Sequence, residues 1–417
     1  MKKLLIIFLF LLCFIVFADK IVFWTAPNPL QEEFWKPLIE EWNNNHPDVQ
    51  IDWKTIPAAG SSEEAILTAV AAGSAPDFCT NIFSGFAAQL AEQGIIVSLD
   101  EEYGQEFFNL VKTRNMEKVI EGWKLGDHYY VFPIYSNPIL MWWRKDKLLE
   151  LGFDTPPRTY SDIYEVAKKY ADPPDRYAMQ VVQGRNWWDR WFDFITYYYA
   201  ASSGKSYIDT KRYRASFNDE YGKSVAKFIY TMFKNKWTAV EMGNQFSLST
   251  GKALGVLQGP WSLNWAKNTY PEVYKNIWIS PPPVPDNYNG GPIKTFADTK
   301  GLVVFSHSKY KKEIFEFIKW VFGNSENDVR WIEITKMPPA REDLTTNPLF
   351  EKFMNDDPYF AAYAKEVGNA IPPALVSNTI DVQDAMTVYL IEPLMYLKST
   401  PEDAINKCVK EINKILY

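Results

Sequence analysis

Residues 20–53 read KIVFWTAPNPLQEEFWKPLIEEWNNNHPDVQIDW, and this stretch sets the architecture of the chain. Lys20 to Trp24 is a short apolar run of strand type. Asn28 can cap a helix, Pro29 suits its first position, and Gln31 follows three residues after the cap. Leu30, Phe34, Leu38 and Trp42 then recur at i+4 and lay one apolar stripe along a helix. Pro37 disturbs it, since an interior proline costs about 3 kcal/mol. Either the helix kinks there or its regular part starts near Trp35. Val49, Ile51 and Trp53 alternate as the next strand. A strand, a helix and a strand in this order imply parallel pairing through a right-handed crossover.

The pattern continues outward. Ser61 and Glu64 form a capping box for a helix that stops at Gly73. Asp77 to Ile82 reads as a strand and Phe86 to Gln93 as a helix ending before Gly94. Thr159 and Asp162 cap another helix that runs through Tyr170. Late in the chain Leu302 to Phe305 is a strand. Ser308 is placed to cap a helix carrying Ile314, Phe317, Ile318 and Val321, with Gly323 at its end. Alternating strands and helices give α/β sheets with helices on both faces. The 417 residues exceed one comfortable core and suit two domains. The segment Pro281-Pro282-Pro283-Val284-Pro285 is the candidate interdomain strand or hinge.

Residues 1–18 read as an export signal. Lys2 and Lys3 precede an unbroken apolar run from Leu4 to Phe17, and Val16-Phe17-Ala18 offers small or modest side chains to a peptidase. The run is shorter than the ~20 residues of a transmembrane helix. Cleavage is expected after Ala18, which takes the formal charge from −7 to −9 by removing the two lysines. That acidic balance argues against nucleic acid and anionic membranes, which recruit basic surfaces. Cys13 follows Leu12 in mid-run, where a lipoprotein cysteine follows a small residue, so no lipid anchor is expected. The mature chain keeps Cys79 and Cys408, read as two buried free thiols.

Catalytic signatures are missing. The chain has no GxGxxG after a strand, no GxxxxGK[ST], no GxSxG, no HExxH and no D-x-[DN]-x-[DN]-G calcium loop. His46, His128 and His307 are scattered without metal spacing. No catalytic residue, metal or cofactor is expected. A glycosidase needs only two carboxylates brought together by the fold, so that alternative stays open. Aromatics are abundant instead, with 16 Trp, 24 Tyr and 27 Phe, and several sit where strands give way to loops. Trp24 ends the first strand, Tyr135 ends another, and Trp187 and Trp188 adjoin Asp189. Trp261 follows Gly259-Pro260. Ligands of open α/β sheets bind outside the carboxyl ends of the strands. Flat aromatic faces there cover the C–H face of a sugar ring, and Asn28, Asp77 and Asp189 can hold hydroxyls. Trp142, Trp143, Trp320 and Trp331 read as structural.

Taken in order, these segments resemble the extracellular solute-binding proteins of bacterial ABC importers, in the sugar-binding family that includes maltose-binding protein. Phe23-Trp24 through Asn45-His46-Pro47, Ala72-Gly73-Ser74-Ala75-Pro76-Asp77 and Gly94 to Asp100 resemble the family's opening motifs. Tyr130 to Asp146 resembles the first crossing between lobes, except that Trp143-Arg144-Lys145-Asp146 departs from the family's YNKD. Pro156-Pro157-Arg158-Thr159-Tyr160, Gly251-Lys252-Ala253, Gly259-Pro260-Trp261 and Met337-Pro338-Pro339-Ala340-Arg341 complete the set. The resemblance implies a two-lobed periplasmic-binding-protein fold of type II, with a ligand cleft between lobes joined by crossing hinge strands. The expected division is 19–134 with 284–336 for the first lobe and 135–283 with 337–417 for the second. It implies a monomer that captures a carbohydrate outside the cytoplasm and passes it to a membrane permease unchanged. By position, Trp24, Asn28, Asp77, Tyr135, Trp187, Trp188, Asp189, Trp261 and Arg341 would face the cleft. Asp77 is either a ligand group or a structural cap, and the same fold also serves polyamines, anions and iron.

Overall fold

The computed structural model describes residues 19–59, 61–182, 190–243 and 245–417. Its first lobe is built on strands β1 (Asp19–Thr25), β2 (Val49–Thr55) and β3 (Phe78–Ile82). β2 and β3 flank β1 in parallel, with Phe23 opposite Trp53 on one side and Phe78 on the other. The ring of Phe23 lies flat on Phe78 at 4.0 Å and meets the edge of Trp35 at 5.1 Å. Trp35 belongs to α1 (Pro29–Asn45), which runs unbroken through Pro37. Phe34 and Trp35 before the proline, and Leu38, Ile39 and Trp42 after it, are all buried. At ~1.5–3 kcal/mol for each large buried side chain, that packing outweighs the ~3 kcal/mol cost of the ring. Helices α2 (Ser62–Ala71) and α3 (Ser84–Glu92) follow in the crossovers.

The second lobe holds a four-stranded sheet. Strands β5 (Leu140–Arg144), β6 (Tyr177–Gln180), β7 (Ala253–Gln258) and β8 (Ile277–Ser280) are arranged in the order β8-β5-β7-β6. Its two faces carry separate cores. Met141, Trp143 and Leu257 pack with α4 (Tyr160–Tyr170), α5 (Trp191–Ala201) and α6 (Glu220–Lys234). Trp142 and Val256 face the other way, toward Leu263 and Ala266 of α7 (Ser262–Thr269).

The chain passes between the lobes along neighbouring tracks. β4 (Phe132–Pro138) runs into β5. β9 (Thr295–Val304) returns antiparallel to β4, with Asp298 opposite Asn137 and Lys300 opposite Tyr135. The Thr299 hydroxyl donates to the Tyr135 carbonyl and Thr295 to that of Ile139. β9 leads to α8 (Lys311–Phe322) and α9 (Ser325–Thr335) of the first lobe. The next stretch also lies beside β4 and antiparallel to it, with Ser136 N donating to Pro338 O (3.1 Å) and Ala340 N to Ile134 O (3.0 Å).

The proline-rich segment is not one of these crossings. Val284 N donates to Arg158 O and Tyr160 N to Val284 O, both 3.0 Å, so the segment docks on the start of α4. Ser308 does not cap α8 either: Tyr310 is the N-cap, and the Ser308 hydroxyl accepts from Tyr310 N (3.2 Å). Cys79 and Cys408 are free, buried, and in different cores, with their thiol pKa values raised by burial.

Candidate ligand-binding cleft

Strand direction decides where a cleft can form. β6 and β7 are parallel and end at Gln180 and Gln258. Gln258 lies opposite Leu140 and Ser280 opposite Met141, so these ends meet the place where β4 hands over to β5. In the first lobe, Ile82 at the end of β3 lies opposite Gly301, beside the same crossing ribbon. Both sheets therefore present carboxyl ends to the crossings.

On the second-lobe edge, Trp261 is the N-cap residue of α7 and its ring covers Gly259; a Cβ at Gly259 would come within 2.1 Å of it. The side chain is nonetheless 45% exposed. Two carboxamides stand at the ends of β6 and β7. Ser247 Oγ donates to Gln180 Oε1 (3.1 Å) and Ser262 Oγ to Gln258 Oε1 (2.6 Å), which fixes the direction of each amide. On the first-lobe side, the Asn81 backbone has φ +66°, and its amide donates to Ser62 Oγ at 3.0 Å. The segment Pro372–Thr379 links the lobes: Ser84 Oγ donates to Pro373 O (3.1 Å) and Tyr199 Oη to Pro372 O (2.9 Å). Thr379 packs so closely on Gly85 that an added Cβ there would lie 2.1 Å from its methyl.

The residues expected at the cleft meet different fates. Trp261 stands open at its edge. Trp24 sits at the carboxyl end of β1 but is only 8% exposed, leaving little of its ring to a solute. Asn28 is occupied as the α1 cap, accepting from Leu30 N (3.0 Å) and Gln31 N (3.3 Å). Asp77 is a correction. It precedes β3 at the amino end, away from the crossings, and its carboxylate accepts from Val22 N at 2.7 Å. Arg341 is a second correction, being fully buried in the first-lobe side of the crossing. It donates to both oxygens of Asp343 (2.7 and 2.8 Å), to Ser325 Oγ (3.0 Å) and to Asp328 Oδ2 (2.8 Å). Tyr135 is buried, stacked on Trp331 at 5.6 Å and hydrogen-bonded to Gln31; burial, then the Asp298 charge, raise its phenol pKa well above normal. Trp187, Trp188 and Asp189 lie outside the described residues.

Sequence reasoning missed Gln180, Gln258 and Asp298. Gln258 immediately precedes Gly259-Pro260-Trp261, which was the available signal. Asp298 is half-buried within the crossing ribbon. Burial raises its pKa, against the pull of Lys300. Among the described residues no group of His, Cys, Asp and Glu could hold a metal ion, and no helix is long and apolar enough to cross a membrane.

Comparison with known proteins agrees with this geometry. The chain is 25% identical to the maltotriose-binding protein of Pyrococcus abyssi over 365 residues, covering 85% of this chain and 72% of that protein. An uncharacterized Listeria monocytogenes protein of known structure superposes with a TM-score of 0.88 at 33% identity, covering 96% of this chain and all of that one. The cyclic α-maltosyl-1,6-maltose binding protein of Arthrobacter globiformis shares the fold, with a TM-score of 0.79 at 15% identity over 96% of this chain and 99% of that one. Residues 27–328 match the bacterial extracellular solute-binding proteins. With two α/β lobes, paired crossings and strand ends that converge on them, the chain belongs to that family.

Proposed function

We propose that this protein is the extracytoplasmic substrate-binding subunit of an ABC importer and that it captures an oligosaccharide in the cleft between its lobes. The observation that carries the reading is Trp261, a large aromatic side chain left open at the carboxyl edge of the second sheet while seven of the described indoles are buried. A flat apolar face on a sheet edge that also carries two oriented carboxamides suits a sugar ring, which offers C–H bonds on one side and hydroxyls around its rim. The relatives named for maltotriose and for a cyclic maltosyl-maltose support the same class. Binding is reversible, a monomer does the work, and the solute reaches a membrane permease unaltered. The relatives and the family are binding proteins. The leader is removed after Ala18. The first lobe begins at residue 19 and gives way to the second at 134, and the chain returns to it at 295; the return point follows the docking of Val284 on α4. Closure excludes water, and a solute drives it only by favouring the closed form.

The test is thermal unfolding of the mature chain against a panel of mono- and oligosaccharides. Stabilisation should grow as RT ln(1 + [L]/Kd) with the cognate sugar, which should be recovered intact. A panel without effect counts against a sugar, and a sugar consumed during the assay counts against a receptor. Trp261→Ala should weaken binding of that sugar by about 1–3 kcal/mol and leave the unliganded melting temperature unchanged.

A further inference from the structure

α7 does more than begin with Trp261. Its inward side is Leu263 and Ala266, both buried against the second sheet. Trp261 and Trp265 are four residues apart on the opposite side, so they occupy one face, with their backbone positions about 6 Å apart along the axis. Trp265 is 44% exposed, and these two indoles are the large exposed tryptophans among the described residues. Its ring is held in place by edge-on contacts with Phe246 (5.1 Å) and Tyr270 (5.3 Å). Phe246 precedes Ser247, which orients Gln180, so this brace is anchored at the same strand end as the cleft. Asn264 and Asn268 form a second i, i+4 pair alongside the indoles and are respectively half-buried and exposed. From Gly259 to Tyr270 the chain has no acidic residue, and its charged residue is Lys267.

An indole stripe flanked by an amide stripe, nearly uncharged and continuous with the cleft edge, fits a neutral polyol chain better than an ionic protein surface. We propose that Trp265 is an outer sugar subsite, and that oligosaccharides longer than the cleft run out along α7 from Trp261 onto Trp265. This rests on the carbohydrate reading above and adds chain length as the property selected. The helix rise of about 6 Å between these two positions is of the order of one sugar unit, so the track would lengthen the site in short steps.

The experiment uses the mature chain and two ladders, maltooligosaccharides and arabinooligosaccharides, each from disaccharide to hexasaccharide, with affinity measured by calorimetry. For the wild type, affinity should climb along the ladder that binds. Trp265→Ala should leave the shortest bound member unchanged and weaken the longest by about tenfold, while Trp265→Phe should restore most of that loss. Unliganded melting temperatures establish that both variants fold. Equal weakening at every length, no weakening at any length, or a wild type indifferent to length overturns the subsite and leaves the receptor reading standing. A wild type that binds no member of either ladder or of the wider sugar panel overturns both.

Discussion

Replacing Asp328 by asparagine removes a carboxylate shared by two buried guanidiniums. Arg114 Nη2 reaches Asp328 Oδ1 and Arg341 Nη1 reaches Oδ2, both at 2.8 Å, and all three side chains are almost wholly buried. Arg114 also donates to the carbonyls of Pro133 (2.7 Å) and Ile134 (2.8 Å), and its guanidinium lies 4.6 Å from the ring centre of Phe322. Arg341 directly follows the stretch Pro338–Ala340 that lies antiparallel beside β4. The triad therefore ties the first-lobe end of β4 to that stretch and to α9. Losing one partner of a buried ion pair costs about 3–5 kcal/mol, because a charge is left uncompensated in a poor solvent. Here Arg341 keeps Asp343, so the deficit falls mainly on Arg114 and the lower end, about 3 kcal/mol, is expected. For a lobe of this size that is a drop of roughly 6–12 °C in melting temperature. Urea unfolding followed by tryptophan fluorescence and far-UV circular dichroism would measure it, with the m-value checking that the transition keeps its character. A loss under about 1 kcal/mol would refute the claim that Asp328 neutralises Arg114 in the dry interior.

Two further outcomes follow from buried groups. Burial holds the Asp298 carboxyl pKa above its ordinary value, against Lys300, with Tyr135 and Asn137 on the same side of the ribbon. The folded state then binds the proton more tightly than the unfolded one. That stabilising contribution is complete below the unfolded pKa of about 3.9 and is lost as pH rises through the folded value. Asp298→Asn should accordingly gain stability relative to wild type at neutral pH and flatten the stability–pH curve just above about pH 4; parallel curves in urea titrations would contradict this. Cys79 and Cys408 should resist a thiol reagent in the native chain and both react once it is unfolded without reductant. A silent pair in denaturant would mean they are joined.

The opening βαβ unit was legible because its signals are local: a cap, a period and an alternation within a few residues of one another. Pro37 shows where local cost yields to tertiary packing, since its penalty is visible in sequence and the buried rings that outweigh it are not. The proline-rich segment reads as an interdomain strand or hinge, and nothing local in it says that it docks on α4 instead. Asp77 and Arg341 misled for a common reason. A polar side chain near a strand end serves either a ligand or the backbone and charges around it, and only the fold says which. Trp265 was unreadable until Leu263 and Ala266 defined the inner side of α7.

The last helix of the chain, α11 (Pro401–Ile415), buries Ala404, Ile405, Cys408 and Ile412 in the second-lobe core. It packs there against α6 and α10 (Thr379–Met386). That core also takes Ile139 and Met141 from far upstream, so it cannot close until the segment through Ile412 has been made. Such long-range closure folds slowly. A second-lobe core built this way stays open until segments far apart in the chain have met.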